Sequence, residues 1–143
     1  MSNKTAYHYE ELEPGQSCEI ERTLQGSDID AFALATGDHN PLHMDAAYAR
    51  DAGYADRIAH GMLLASWISA ALAHELPGLG TVYLRQSLEF RQAALPGDRL
   101  LIRLTVQEKK RRGRVLLDCR ICHEDGRDLL RGSAEVIAPS ASV

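Results

Sequence analysis

The spacing of apolar residues along this chain changes several times, and each change predicts a new element. "SCEIERTL" (Ser17–Leu24) alternates well enough to predict a first strand. "SDIDAFALATG" then puts Ile29, Phe32 and Ala33 on one helical face, with Thr36 next in that series. Ser27 suits the N-cap of this helix, Asp28 and Asp30 favour the positive end of its dipole, and Gly37 suits its stop. Asn40-Pro41 offers a second helix start, and Asp45 is a competing cap for "AAYARDAG". A tight turn followed by a short helix ending near Gly53 is therefore expected.

From Gly61 the pattern is apolar on nearly every side. "GMLLASWISAALAHELPG" is rich in helix formers and stops at Pro77-Gly78. A helix without a polar face is expected to be buried all round. About sixteen residues would make a rod of about 24 Å. Beyond it alternation returns. "VYLRQSLEFRQ" reads as one long strand, with Val82, Leu84, Leu88 and Phe90 on one face and Tyr83, Arg85, Ser87 and Glu89 on the other. "LPGD" turns the chain, and "LLIRLTVQE" alternates through Leu100, Ile102, Leu104 and Val106. "KKRRGR" makes a hairpin tip, "VLLDCRIC" returns, "HEDGRD" turns and "LLRGSAEVI" closes. This is an α+β plan, and a curved antiparallel sheet wrapped around one long central apolar helix buries both most simply. No repeat, low-complexity segment or linker interrupts it, so residues 1–143 are expected to form a single domain, with a frayed tail from Ala138 to Val143.

Composition narrows the function classes. Hydrophobic residues are 45% and charged residues 25%, values that exclude a disordered chain. The net charge of −4 argues against a nucleic-acid partner, which would require a broad basic face. The polar start "MSNKTAYHYEELEPG" is unlike a leader, and the longest apolar run is too short for a bilayer, so no membrane association and a cytoplasmic location are expected. Three cysteines suit a reducing compartment. Cys119 and Cys122 have the C-x-x-C spacing of redox and zinc motifs. They fall in the alternating run "VLLDCRICH", however, where residues three apart point to opposite faces and the sulfurs cannot converge.

Two short stretches carry candidate chemistry. "TGDHNPLH" (Thr36–His43) places Asp38 and His43 across an Asn-Pro turn, where a carboxylate and an imidazole can face one space as an acid–base pair. Taken alone, such an Asp caps a turn and such a His packs near a helix start more often than either catalyses. Nothing selects His39. In "AHGM", Gly61 opens the apolar helix, where unpaired N–H groups and the dipole favour an oxyanion and the missing side chain lets a ligand approach. Relief of crowding at the helix entry is the plainer alternative for that glycine.

Together the two stretches carry a resemblance. "FALATGDHNPLHMDAAYA" (Phe32–Ala49) resembles the signature of the (R)-specific enoyl-CoA hydratases, the MaoC-like group of the hotdog fold. Phe32, Thr36, Gly37, Asp38, Asn40, Pro41, Leu42, His43 and Ala49 match it, and the likeness continues through "AHGMLLASWISAAL", "LPGLGTVYLRQSLEF" and "LPGD". The resemblance implies a hotdog fold and reversible syn hydration of a trans-2-enoyl thioester to the (R)-3-hydroxyacyl thioester. Asp38 and His43 would activate water for C3 and return a proton to C2, and Asn40 would orient them. The Gly61 N–H would polarise the thioester carbonyl. Ser69 would line the site beside Asp38 and His43, with His60 supporting it, and Leu64, Trp67 and Ile68 would floor the acyl pocket. The chemistry requires no metal and no cofactor, coenzyme A being part of the substrate, and the family implies a homodimer. Polyester supply and β-oxidation are both routes such a hydratase serves.

Rival readings use the same fold. A (3R)-hydroxyacyl-[acyl-carrier-protein] dehydratase would use the same residues, with a basic ring around the mouth for its acidic partner. A hotdog thioesterase would place an acid on the central helix, which has none before Glu75. A non-catalytic acyl-CoA-binding hotdog protein would lack Asp38 or His43. One position departs from the family: Arg57 stands where many relatives have a proline before the His-Gly step. It is expected to leave that loop freer and to add charge near the mouth. For coenzyme A phosphates the candidates are "EKKRRGR" (Glu108–Arg114), Arg85 and Arg91.

Overall fold

A computed structural model describes residues 4–141. Strand β1 (Ser17–Thr23) leads to helices α1 (Gly26–Thr36), α2 (Pro41–Met44), α3 (Ala46–Asp51) and α4 (Gly61–His74). Strands β2 (Val82–Gln86), β3 (Glu89–Phe90), β4 (Arg99–Lys109), β5 (Arg114–His123) and β6 (Asp128–Ile137) follow. Local chemistry explains the boundaries. α1 starts just ahead of the expected Ser27 cap, because the Asp28 carboxylate accepts the Gln25 N–H at 2.8 Å. It stops at Gly37, which takes a left-handed φ of 80° and donates its N–H to the Ala33 carbonyl. Asn40 and Asp45 do not compete. Asn40 Oδ1 accepts from the Leu42 N–H and starts α2, and Asp45 Oδ1 accepts from the Ala47 and Tyr48 N–H groups and starts α3. The one short helix expected here is two.

All strand pairings are antiparallel, in the order β1-β4-β5-β6-β2, with β3 also on β6. The alternating residues Leu100, Ile102, Leu104 and Val106 of β4 and Val115, Leu117, Cys119 and Ile121 of β5 are buried. They share one core with Leu64, Ile68, Ala71 and Leu72 of α4. A single antiparallel sheet packed on one long helix is the hotdog arrangement. Among the described residues, no helix is long and apolar enough to cross a membrane.

Three expectations are corrected. The central helix is not buried all round: Met62, Ser66, Ser69 and Ala70 form an exposed stripe along it. The long strand after it is broken into β2 and β3, and its apolar residues are not buried as a row: Val82, Leu84 and Phe90 are exposed in the single chain while Leu88 is half-buried. The break is fixed by close approach, since Ser87 donates its N–H to the Ser133 carbonyl and its hydroxyl accepts the Ser133 N–H. A Cβ at Gly132 would sit 1.9 Å from the Ser87 carbonyl oxygen, so only glycine fits. The tail is held rather than frayed as far as Ser140, with Pro139 accepting from the Tyr9 N–H and Ser140 bonding to Glu10; Ser142 and Val143 lie outside the described residues. Cys119 is fully buried and Cys122 half-buried on opposite faces of β5, and burial pushes the Cys119 thiol up to about 12.

Ile68 is wholly enclosed by α4 and the sheet. Ile68→Ala is expected to lower unfolding free energy by about 2–5 kcal/mol, read from denaturant titration.

Candidate active site

The end of α1 and the start of α2 deliver the two candidate catalytic groups. Thr36 Oγ1 accepts the Asp38 N–H at 3.2 Å, and Asp38 Oδ1 accepts the Asn40 N–H at 3.2 Å. The bend thus uses one carboxylate oxygen, and the other remains for chemistry. Asn40 orients the pair by shaping the bend: its backbone holds Asp38, and its side chain caps the helix that carries His43. His39 is exposed.

His43 is placed from the opposite side. Its Nδ1 lies 2.8 Å from the Ile58 carbonyl, and the Ile58 N–H donates to the Leu42 carbonyl at 3.1 Å. A carbonyl only accepts, so Nδ1 carries the proton and Nε2 keeps its lone pair. His60 is buried, and its Nε2 donates to the Asp38 carbonyl at 3.0 Å. Its ring stacks on His43 with centroids 3.9 Å apart and touches Phe32 at 4.9 Å. His60 is therefore a support behind the pair. Its Nδ1 is buried with no partner among the described residues.

Asp38, His43 and His60 offer ligand atoms that lie within 4.8 Å of one another. A carboxylate and two imidazoles could in principle hold a metal. One ring nitrogen is already committed, since the His43 Nδ1 bonds to the Ile58 carbonyl. The His60 Nε2 is also committed to a carbonyl.

Gly61 opens α4, and no side chain caps the helix there. A cavity of about 410 Å³ lies against it, lined by His43, Gly61, Leu64, Phe90, Arg91 and Ala94 among others. The proposed base and the helix N-terminus therefore share one space. A Cβ at Gly61 would come within 2.7 Å of the Phe90 ring, so that ring shares the space as well. Phe90 is half-exposed although it stands opposite the buried Leu130, and the alternating pattern, which placed it on one face of a strand, did not show that it meets Gly61.

Of the pocket floor expected from Leu64, Trp67 and Ile68, only Leu64 lines the cavity. Trp67 and Ile68 are core residues, with the Arg22 guanidinium 4.3 Å above the Trp67 ring. Trp67 and Ile68 lie about 4.5–6 Å further along α4 than Leu64, past the cavity at the helix start. Ser69 is not beside the pair in the single chain. Eight residues from Gly61, it lies about 12 Å along the helix and lines a second depression with Met62, Ser66, Tyr83 and Leu84. Met62 borders both depressions.

The basic candidates separate. Arg91 lines the catalytic cavity. Arg85 instead gathers with Lys110, Arg111, Arg112 and Arg114 around Glu135. Glu135 is opposite Leu116 in the β5–β6 register, on the face away from the core. Arg57 also differs from expectation. Its side chain is only 20% exposed, with Nη1 2.7 Å from Asp30 Oδ1 and 3.3 Å from the His43 carbonyl, so the loop is pinned instead of freed. No spacing rule foretells that contact, which joins residues far apart in sequence.

The profile of the MaoC-like domain matches residues 10–118, a stretch that contains the whole cluster. An (R)-specific enoyl-CoA hydratase from Rhodospirillum rubrum is 35% identical over 94% of this chain and 93% of its own length. The chain belongs to the MaoC-like family. Among solved structures, the R-hydratase PhaJ1 from Pseudomonas aeruginosa superposes with a TM-score of 0.91 at 43% identity, covering 94% of this chain and 87% of that one. The (R)-hydratase of Aeromonas caviae involved in polyhydroxyalkanoate biosynthesis gives 0.86 at 36% identity, over 90% and 98%. Both likenesses establish the hotdog fold for this MaoC-like chain.

The Ile58 bond makes a specific prediction. Nitrogen-15 NMR of neutral His43 should report the Nδ1–H tautomer, and a dominant Nε2–H signal would contradict the geometry.

Proposed function

We propose that this chain is an (R)-specific enoyl-CoA hydratase. The observation that carries the reading is the shared cavity: His43 with a free Nε2, Asp38 next to it, and the uncapped start of α4 on the same wall. Conjugate addition of water needs a base, a proton for C2 and stabilisation of charge on the thioester oxygen. The Asp38 carboxylate and His43 Nε2 accept hydrogen bonds from one water and direct its oxygen at C3. As the C3–O bond forms, the pair takes a water proton and charge develops on the thioester oxygen. The Gly61 N–H and the α4 dipole meet that charge. The proton held by the pair then passes to C2 on the same face, which makes the addition syn. No step calls for a metal or a redox cofactor.

Coenzyme A is favoured over carrier protein by where the cations lie. A carrier protein would require a basic ring at the mouth, whereas the cluster of Arg85 and Lys110–Arg114 is on the outer sheet face. A second copy completes the molecule in this reading. Met62, Ser66 and Ser69 of the exposed α4 stripe and the exposed Tyr83 and Leu84 of β2 border one apolar depression of about 520 Å³, and β2 ends the sheet order. An unpaired apolar edge of this kind pairs readily with its like. The three free thiols suit the cytoplasm.

Loss of enoyl absorbance with crotonyl-CoA tests the activity. The wild type is expected to form the (R)-alcohol, and Asp38→Asn and His43→Ala should each lose about 10²–10⁴ in kcat/KM while remaining folded. Undiminished turnover in either would remove that residue from the mechanism. Sedimentation should give twice the chain mass, and Leu84→Glu should shift it toward one chain.

A further inference from the structure

We infer that Arg57 and Asp30 act together as a positioning clamp that sets the separation of Asp38 and His43. The inference rests on the hydratase reading for its kinetic test alone. Asp30 sits in α1, the helix whose end presents Asp38. Arg57 sits in the segment that receives His43 through three successive contacts. The Ile58 N–H donates to the Leu42 carbonyl at 3.1 Å, the His43 Nδ1–H donates to the Ile58 carbonyl at 2.8 Å, and Arg57 Nη1 donates to the His43 carbonyl at 3.3 Å. The same Nη1 is 2.7 Å from Asp30 Oδ1. One guanidinium thus joins the arm that carries the carboxylate to the arm that carries the imidazole.

The site is shaped for that group. A Cβ at Gly26 would lie 2.9 Å from Arg57 Nη2, so the glycine at the start of α1 leaves room for the planar head. The Arg57 side chain is mostly enclosed and Asp30 is open to solvent, so Asp30 can be changed without opening the core. This loop is stiffened by an ion pair, so its stiffness depends on a second residue.

The test uses Asp30→Ala, Arg57→Ala and the double variant, with crotonyl-CoA hydration and exchange of the His43 Nδ1 proton as readouts. Each single change is expected to lower kcat by about 10- to 100-fold with KM moved less than about threefold, because a small misplacement of the pair acts on chemistry more than on binding. The double variant should be no slower than the slower single, since both remove one link. The Nδ1 proton should exchange faster in all three. Folded variants with wild-type kcat and wild-type exchange, or losses that multiply, would overturn the clamp. If the wild type hydrates nothing, the function reading falls and proton exchange alone decides the clamp; if Arg57→Ala does not fold, Asp30→Ala decides it.

Discussion

The hydrogen bond from the His43 Nδ1–H to the Ile58 carbonyl governs what the rest of the site can do. It selects the tautomer, points Nε2 toward the cavity and ties α2 to the segment entering α4. The neighbouring groups reinforce that choice. Asn40 starts the helix that carries the imidazole, His60 supports its face and holds the Asp38 carbonyl, and Asp38 lends one oxygen to the turn. Each of these is ordinary chemistry for a turn or a helix end. What sets this site apart is their arrangement around one stacked pair of rings, where a displaced loop would shift the imidazole and the carboxylate together.

Helix α4 imposes the second constraint, because it serves the core and the site at once. Its buried side, with Ile68, Ala71 and Leu72, closes the sheet. Its N-terminus supplies the unpaired donors that an enolate oxygen needs. Its remaining stripe, Met62, Ser66, Ser69 and Ala70, is exposed, and all but Ala70 border the depression beside β2. Small side chains there permit the close approach of another surface, which a helix merely filling a core would not require. Stability and chemistry are thus divided by face along a single element.

Most of the fold was legible from spacing. Period-two alternation located β1, β4, β5 and β6, and the apolar run located α4, because each buries one whole face and hydrophobic burial dictates the period. Alternation misled at β2, where a bulge between Tyr83 and Arg85 shifts the faces, and at α4, whose small Ser and Ala stripe resembles core composition. In the site, Asp38, Asn40, His43 and Gly61 were legible because they share two short segments. Arg57 with Asp30, the His60 bond to Asp38 and the Phe90 ring over Gly61 were not, since each joins segments that only the folded chain brings together. Trp67 and Ile68 were misassigned because one helix offers several apolar faces and composition does not say which one meets the cavity.

The central claim is that one pair of side chains delivers the water and the proton from a single side of the substrate. Hydration of crotonyl-CoA in D₂O, with the relative configuration at C2 and C3 read by proton NMR, tests it most directly. The account predicts one diastereomer, the (3R)-alcohol with deuterium and hydroxyl added to the same face. Addition to opposite faces, or an even mixture at C2, would contradict it.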